Sequence, residues 1–220
     1  MKLIAENLTI DRGGRRVFQD LSFELPSGTA LVVTGANGIG KSSLLRTLAG
    51  LVALAGGTLR LEDGIEDRAP AEHAHYFGHQ NAVKAALSVL ENLSFWQGFT
   101  SPVTTPAYRA AALSPEAALD LLGIGHTIDL PAGFLSAGQT RRLALARLLV
   151  TPRPIWLMDE PTSALDKASE GQLLELMNGH LAAGGLIVTA THTDLALVNT
   201  RILHLRTADP VSPHEEDLPA

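Results

Sequence analysis

The run Gly35-Ala36-Asn37-Gly38-Ile39-Gly40-Lys41-Ser42-Ser43 constrains this chain more than any other stretch. It fits the pattern G-x-x-x-x-G-K-[ST], a phosphate-binding loop, with a third glycine at Gly38. The apolar run Ala30-Leu31-Val32-Val33 before it predicts a buried strand, and Leu44 to Ala49 after it predicts a helix stopped by Gly50. Strand, glycine loop and helix are the context that the motif needs. The glycines let the backbone approach phosphate oxygens and turn successive N–H groups inward as an anion nest. The helix start adds its positive dipole end. Lys41 is expected to reach the β- and γ-phosphates, and the Ser42 hydroxyl to ligate Mg²⁺. An ordinary glycine-rich turn is the alternative, and the flanking strand and helix weigh against it. The expectation is a nucleoside triphosphate site.

A chain of 220 residues makes one large domain, or a domain with a small insert. There are no cysteines, which excludes disulfides and thiolate chemistry and fits a reducing, cytoplasmic setting. The formal net charge is −6 with no dense Lys/Arg block, which argues against a nucleic-acid partner. No apolar run approaches the roughly 18 residues that would span a bilayer. The start, Met1 to Glu6, meets an acid too soon for a signal peptide. The chain is expected to be soluble, or peripheral to a membrane through a partner.

Patterning divides the chain into an α/β body and a helical insert. Strands are predicted over 3–10, 17–25, 58–61 and 75–77, with a turn at 11–16. From about residue 82 to 134 the sequence becomes Ala/Leu-rich. Helices are predicted there over 88–97 and 106–113, with a loop from Gly98 to Pro106 between them. Another is opened by Ser114-Pro115-Glu116, an N-cap serine followed by proline at N1 and an acid. Beyond 138 the α/β pattern returns: helix 138–150, strand 155–158, helix 167–183, strand 186–190, a short helix after His192, and strand 201–205. The last fifteen residues, rich in Pro, Asp and Glu, read as a loose tail.

Two segments add chemistry to the phosphate loop. Asp159 closes a buried apolar strand, where open α/β sheets place their ligands, and in a phosphate-loop protein such an aspartate holds Mg²⁺. Its neighbour Glu160 is placed to polarise a water that attacks the γ-phosphate. Leu135-Ser136-Ala137-Gly138-Gln139 makes a second anion-binding helix start in a different part of the chain. Two such starts are hard to bring to one phosphate group within one copy. Two copies facing each other, each capping the other's nucleotide, solve the problem with a two-fold interface.

On these residues the chain resembles the ATP-binding-cassette ATPases. Leu135 to Gln139 is similar to their signature loop, normally Leu-Ser-Gly-Gly-Gln, and Ser163-Ala164-Leu165-Asp166 to their D-loop. Gln80 matches the glutamine that contacts Mg²⁺ and senses the membrane partner, and His192 the switch histidine at the γ-phosphate. The resemblance implies a phosphate-loop NTPase fold of the α/β class: a RecA-like core, an antiparallel β subdomain and an inserted α-helical signature subdomain. It implies a nucleotide-binding domain over 1–206, with the helical part at about 82–140, then a tail at 207–220. It implies ATP and Mg²⁺ as ligands, with Lys41, Glu160 and His192 catalytic. Gly35 to Ser43, Gln80, Ser136, Gly138, Gln139 and Asp159 would touch the nucleotide, and Ser42, Gln80 and Asp159 the metal. One departure concerns adenine: Arg12 stands where the family often has a tyrosine, so Arg12 would stack on the base, Phe18 would make that contact, or the contact is simply lost.

A narrower resemblance lies in Tyr76-Phe77-Gly78-His79-Gln80-Asn81, in 84–96 and in 135–148. These segments are similar to the ATP-binding subunit of the cytochrome c maturation haem exporter. That implies a place on the cytoplasmic face of the inner membrane, a second copy, integral-membrane partners, and hydrolysis linked to haem delivery and to release of a haem-loaded chaperone. Another small exporter, for drugs, lipids or oligosaccharides, is the alternative, ahead of a non-transport cassette. His73 and His75, expected to share one face of a strand, and His79 invite a direct haem or metal site. They are more simply read as core and loop residues, and Phe95-Trp96 as core of the helical part or the lining of a docking groove.

Overall fold

A computed structural model describes residues 1–205, so the expected tail at 207–220 lies outside the described residues. The first layer is a three-stranded antiparallel sheet in the order β2-β1-β4, formed by β1 (Lys2–Arg12), β2 (Arg15–Pro26) and β4 (Gly56–Glu62). The turn expected over 11–16 contracts to Gly13-Gly14, both at positive φ, which lets Arg12 pair directly with Arg15.

The second layer is a parallel sheet in the order β5-β6-β7-β3-β8. Its strands are β3 (Ala30–Thr34), β5 (Ala74–Phe77), β6 (Ile155–Asp159), β7 (Leu186–Ala190) and β8 (Thr200–His204). Strand periodicity splits its side chains between two cores. Ile155, Leu157, Leu186 and Val188 pack with the antiparallel sheet and α1 (Lys41–Leu48). Trp156, Met158 and Ile187 face the other way, onto α4 (Ala137–Val150), α5 (Lys167–Ala182) and the helical insert. With both faces covered, β6 and β7 are buried at every position, which is why they read as unbroken apolar runs.

The insert carries α2 (Val89–Phe99) and α3 (Pro115–Leu121), each capped as its sequence predicts. Ser88 and Glu91 form a reciprocal capping box, and Ser114 accepts from the Ala117 N–H. Helix α2 runs through Gly98 to Phe99, beyond the expected loop start. The helix expected over 106–113 is absent. Pro106 sits in a turn closed by paired Thr105 and Tyr108, and the chain then runs without regular structure until the Leu113 N–H donates to Leu149 O. Buried Tyr108, packed edge-on to His180, anchors this segment in place of helical hydrogen bonds. The short helix expected after His192 is also absent. The Asn178 side chain takes up the Val198 N–H and Ala196 O, the backbone groups that a helix would otherwise have satisfied.

Candidate functional site

The strand order decides where the motifs meet. β6, β7 and β3 are neighbours and parallel, so their carboxyl ends lie side by side. β3 delivers the phosphate loop, β6 delivers Asp159 and Glu160, and β7 delivers His192 just past Ala190. β5, beside β6, delivers Gly78 to Gln80 to the same edge. Residues scattered over most of the sequence thus converge where doubly wound sheets bind ligands.

In the phosphate loop, Gly35, Gly38 and Gly40 all have positive φ, the last at +114°. A Cβ on Gly40 would lie 2.3 Å from Val17 Cγ1, so glycine here answers both backbone conformation and space. No side chain caps the first turn of α1, whose N-cap is Gly40. Lys41 is buried, and its ammonium donates to Gly35 O (2.8 Å) and Ala36 O (3.2 Å). That folds it across the mouth of the loop. Its Nζ also lies 3.3 Å from His192 Nε2, and the same Nε2 lies 3.6 Å from Glu160 Oε1. Lys41, His192 and Glu160 therefore meet at one imidazole nitrogen, which can accept from the ammonium or face the carboxylate as a donor but cannot do both at once.

Glu160 has φ +47°, a left-handed conformation rare for a non-glycine residue. Its N–H donates to Ala190 O at 2.8 Å, which ties the turn to the end of β7. Its carbonyl accepts from Arg141 Nη2 at 2.9 Å. Strain of this kind persists only where the surroundings hold it, and it clusters at functional sites.

Arg141 is the functional residue that the motif reading did not single out. It is buried in α4, stacks over Phe77 at 3.8 Å, and donates from Nη1 to Gly78 O (2.7 Å) and Asn81 Oδ1 (3.1 Å). One guanidinium therefore ties the signature helix, the segment around Gln80 and the turn at Glu160 together. Burial lowers its pKa to about 10, still far above neutrality, so it remains a cation. The available signal was the arginine five residues after Ser136 on a helix whose buried positions, Arg147 apart, are otherwise apolar.

The oxygen donors available for a metal are the Asp159 carboxylate, buried at 7% exposure, the Ser42 hydroxyl and the more exposed Gln80 amide. Among the described residues no group of three or more His, Cys, Asp or Glu could hold a metal ion. One carboxylate with neutral oxygens is the poor, hard donor set that suits Mg²⁺ shared with substrate phosphates. The residues present fit that ion.

Ser136, Gly138 and Gln139 do not join this cluster. Ser136 caps α4 in a reciprocal box with Gln139 and is exposed, and Gly138 lies beside Ala164 of the D-loop segment. Among the described residues no hydrogen bond or ion pair links the signature segment to the phosphate loop. Phe134, 79% exposed, stands just before it. Of the two residues weighed for adenine, Phe18 is core at 3% exposure and has no free face, whereas Arg12 is exposed at the end of β1. Val17, half-buried against Gly40, is the apolar surface next to the loop.

A second cavity, of about 710 Å³, opens between the body and the insert. Arg46, Arg147, Arg153, His79, Gln80, Tyr76 and Trp96 line it, with no carboxylate. Phe95 and Trp96 correct the expectation of a core pair: Phe95 is 42% exposed, and with Trp96 and Phe99 it forms an aromatic cluster with ring centroids 5.5–5.9 Å apart. Phe95 and Phe99, one turn apart, lie on the outer face of α2, and Trp96 between them turns inward, under Arg147. His73 lies in a short 3₁₀ turn rather than on a strand with His75, and bonds to the Ile65 N–H and Ala69 O. His75 bonds to Thr151 O, so both are satisfied within the protein.

Known proteins fit this geometry. A family model described as ABC transporter matches residues 18–163. The "Cytochrome c biogenesis ATP-binding export protein CcmA" of Mesorhizobium japonicum is 53% identical over 90% of this chain and 94% of its own length. The protein of the same name from Nitrobacter hamburgensis is 52% identical over 90% and 95%. A solved ATP-binding subunit of an ABC transporter superposes with a TM-score of 0.74 at 20% identity, over 87% of this chain and 80% of that one, which speaks to the fold alone. With this fold, this order of motifs and these relatives, the chain belongs to the ABC transporter family.

Proposed function

We propose that this chain is the ATP-hydrolysing subunit of the haem exporter of cytochrome c biogenesis, and that it works as a pair of copies. The observation that carries the reading is the meeting of Lys41, His192 and Glu160 at the carboxyl end of the sheet, beside the phosphate loop. The nucleotide-binding domain in this reading spans 1–206, with the signature subdomain at about 82–140. The backbone of Gly35 to Ser43 cradles the phosphates, and Lys41 exchanges its two carbonyl partners for β- and γ-oxygens. His192 contacts the γ-phosphate, and Glu160 orients and polarises the water that attacks it, taking up the proton as the bond to the β-phosphate breaks. Asp159, Ser42 and Gln80 would hold Mg²⁺, which neutralises charge on the β- and γ-oxygens. Ser136, Gly138 and Gln139 project from the insert to close over the nucleotide of the other copy, which makes each site half of one.

No helix among the described residues is long and apolar enough to cross a membrane; in this reading a partner subunit provides the attachment. The cationic groove beside Gln80, whose Trp96 belongs to the exposed aromatic cluster with Phe95 and Phe99, is where an integral-membrane subunit docks in this reading, at the cytoplasmic face of the inner membrane. The relatives' names supply the cargo pathway. Affinity purification of the full chain from native membranes tests the assignment. Co-purification of integral-membrane cytochrome c maturation subunits is expected. Recovery with the membrane subunits of a different exporter would reassign the cargo, and recovery without any membrane protein would refute the transport role.

A further inference from the structure

Asp159 presents a problem that the family motifs do not address. A carboxylate at 7% exposure needs partners, and among the described residues its side chain has one hydrogen bond, from the Tyr76 hydroxyl to Oδ2 at 3.5 Å. The same hydroxyl accepts from Arg46 Nε at 3.4 Å. The geometry follows from the sheet. Tyr76 pairs with Leu157 in the parallel register of β5 and β6, so its side chain and that of Asp159, two residues on, share a face. α1 packs against that face and brings Arg46 over it. Gly78 makes the arrangement possible: a Cβ there would lie 2.7 Å from Tyr76 Cε1 and 2.9 Å from its hydroxyl oxygen. Arg46 and Tyr76 also line the cationic groove.

We propose that Tyr76 is a positioning residue for the metal-side carboxylate, its hydroxyl fixing the orientation of Asp159 and joining it through Arg46 to the wall of the docking groove. The proposal rests on the reading of Asp159 as a Mg²⁺-side group. Tyr76 itself touches neither nucleotide nor metal. It acts as the outer partner that ligating carboxylates commonly have, whose loss typically weakens metal affinity tenfold or more. The chain Arg46–Tyr76–Asp159 also links the groove wall to the nucleotide site, so an element pressing on Arg46 would reach the carboxylate through two contacts.

Tyr76→Phe tests this, because it keeps the ring and removes only the hydroxyl. Mn²⁺, a stand-in for Mg²⁺, is titrated by electron paramagnetic resonance into the full chain with ADP bound. Tyr76→Phe should bind Mn²⁺ about tenfold more weakly, and Arg46→Met should shift it in the same direction by less. ADP affinity in EDTA should stay within about twofold. The Mg²⁺ concentration for half-maximal ATP turnover should rise by the same factor as the Mn²⁺ constant, with turnover at saturating Mg²⁺ retained. A residue that only packs would leave the Mn²⁺ constant alone. Wild-type-like Mn²⁺ affinity in Tyr76→Phe would overturn the role of Tyr76 while leaving Asp159 as metal ligand. Absence of nucleotide-dependent Mn²⁺ binding in the wild type would overturn both.

Discussion

Replacing Arg141 by methionine should uncouple three elements at once. The methionine fills much of the same volume and keeps a contact with Phe77, so the loss isolates the guanidinium. That group donates to Gly78 O, Asn81 Oδ1 and Glu160 O at 2.7, 3.1 and 2.9 Å. A hydrogen bond from a charged donor contributes about 1.5–3 kcal/mol, so three bound the loss at several kcal/mol. Burying the cation costs part of this back, as its lowered pKa records. A net loss of about 3 kcal/mol remains, which in a chain of this size is a drop in Tm of roughly 6–12 °C. Urea unfolding should show a lower midpoint with the slope unchanged. ATP turnover should fall more than tenfold while ATP affinity changes less than about threefold, because Glu160 and the Gln80 segment lose their tether but the phosphate loop does not. Arg141→Lys should recover only part of the stability, since one ammonium cannot span three acceptors set around a planar fork. A loss under about 1 kcal/mol with turnover retained would refute the assignment of Arg141 as the post between the signature helix and the catalytic turn.

Gly40→Ala should lose ATP affinity more than tenfold and cost about 2–3 kcal/mol, since both φ +114° and Val17 oppose a Cβ. Gly38→Ala, with φ +78° and open space, should cost only about 1 kcal/mol, and equal effects at the two positions would contradict the steric argument. Lys41→Ala should abolish tight triphosphate binding in a fluorescence titration, and unchanged affinity would remove the phosphate-loop reading. Buried His75 and His180 have their pKa values pushed down to about 3 and about 4, chiefly by burial. The unfolded state, titrating near 6.5, then binds more protons, so stability is full above that pH and is lost as pH falls toward the folded values. Between pH 7.5 and 5.5 each should lose about 1.4 kcal/mol in urea unfolding. His180→Gln should remove about half of that dependence, and a flat profile would mean that these imidazoles are not held neutral.

The phosphate loop, the buried strands and the capped helices were legible because each is set by neighbours in sequence: glycines where φ turns positive, Ser88 and Ser114 where helices begin, continuous apolar runs where a sheet is covered twice. The family motifs then named Lys41, Glu160 and His192 one at a time. Their contact was not legible, because it depends on β7 lying between β6 and β3, a consequence of long-range packing. The same holds for Arg141, whose three acceptors lie far from it in the chain. Residues 106–113 misled through composition. Alanine and leucine favour helix, but Pro106 and the burial of Tyr108 hold an irregular segment, so tertiary packing overrode propensity. Phe18 misled through chemistry: an aromatic near the loop suits a base, but its place on β2 turns it into the core and leaves Val17 beside Gly40.

The central claim is that each copy carries a complete hydrolytic cluster but only half of a closed site, and Glu160→Gln tests it most directly. Gln keeps the side-chain size and the backbone turn but cannot take a proton. Light scattering after gel filtration with Mg²⁺ and ATP measures the mass, and phosphate release measures turnover. The variant should be a dimer with ATP retained and turnover lost, and adding Ser136→Arg should return it to a monomer. A Glu160→Gln chain that hydrolyses ATP at the wild-type rate, or that holds ATP tightly as a monomer, would contradict the account.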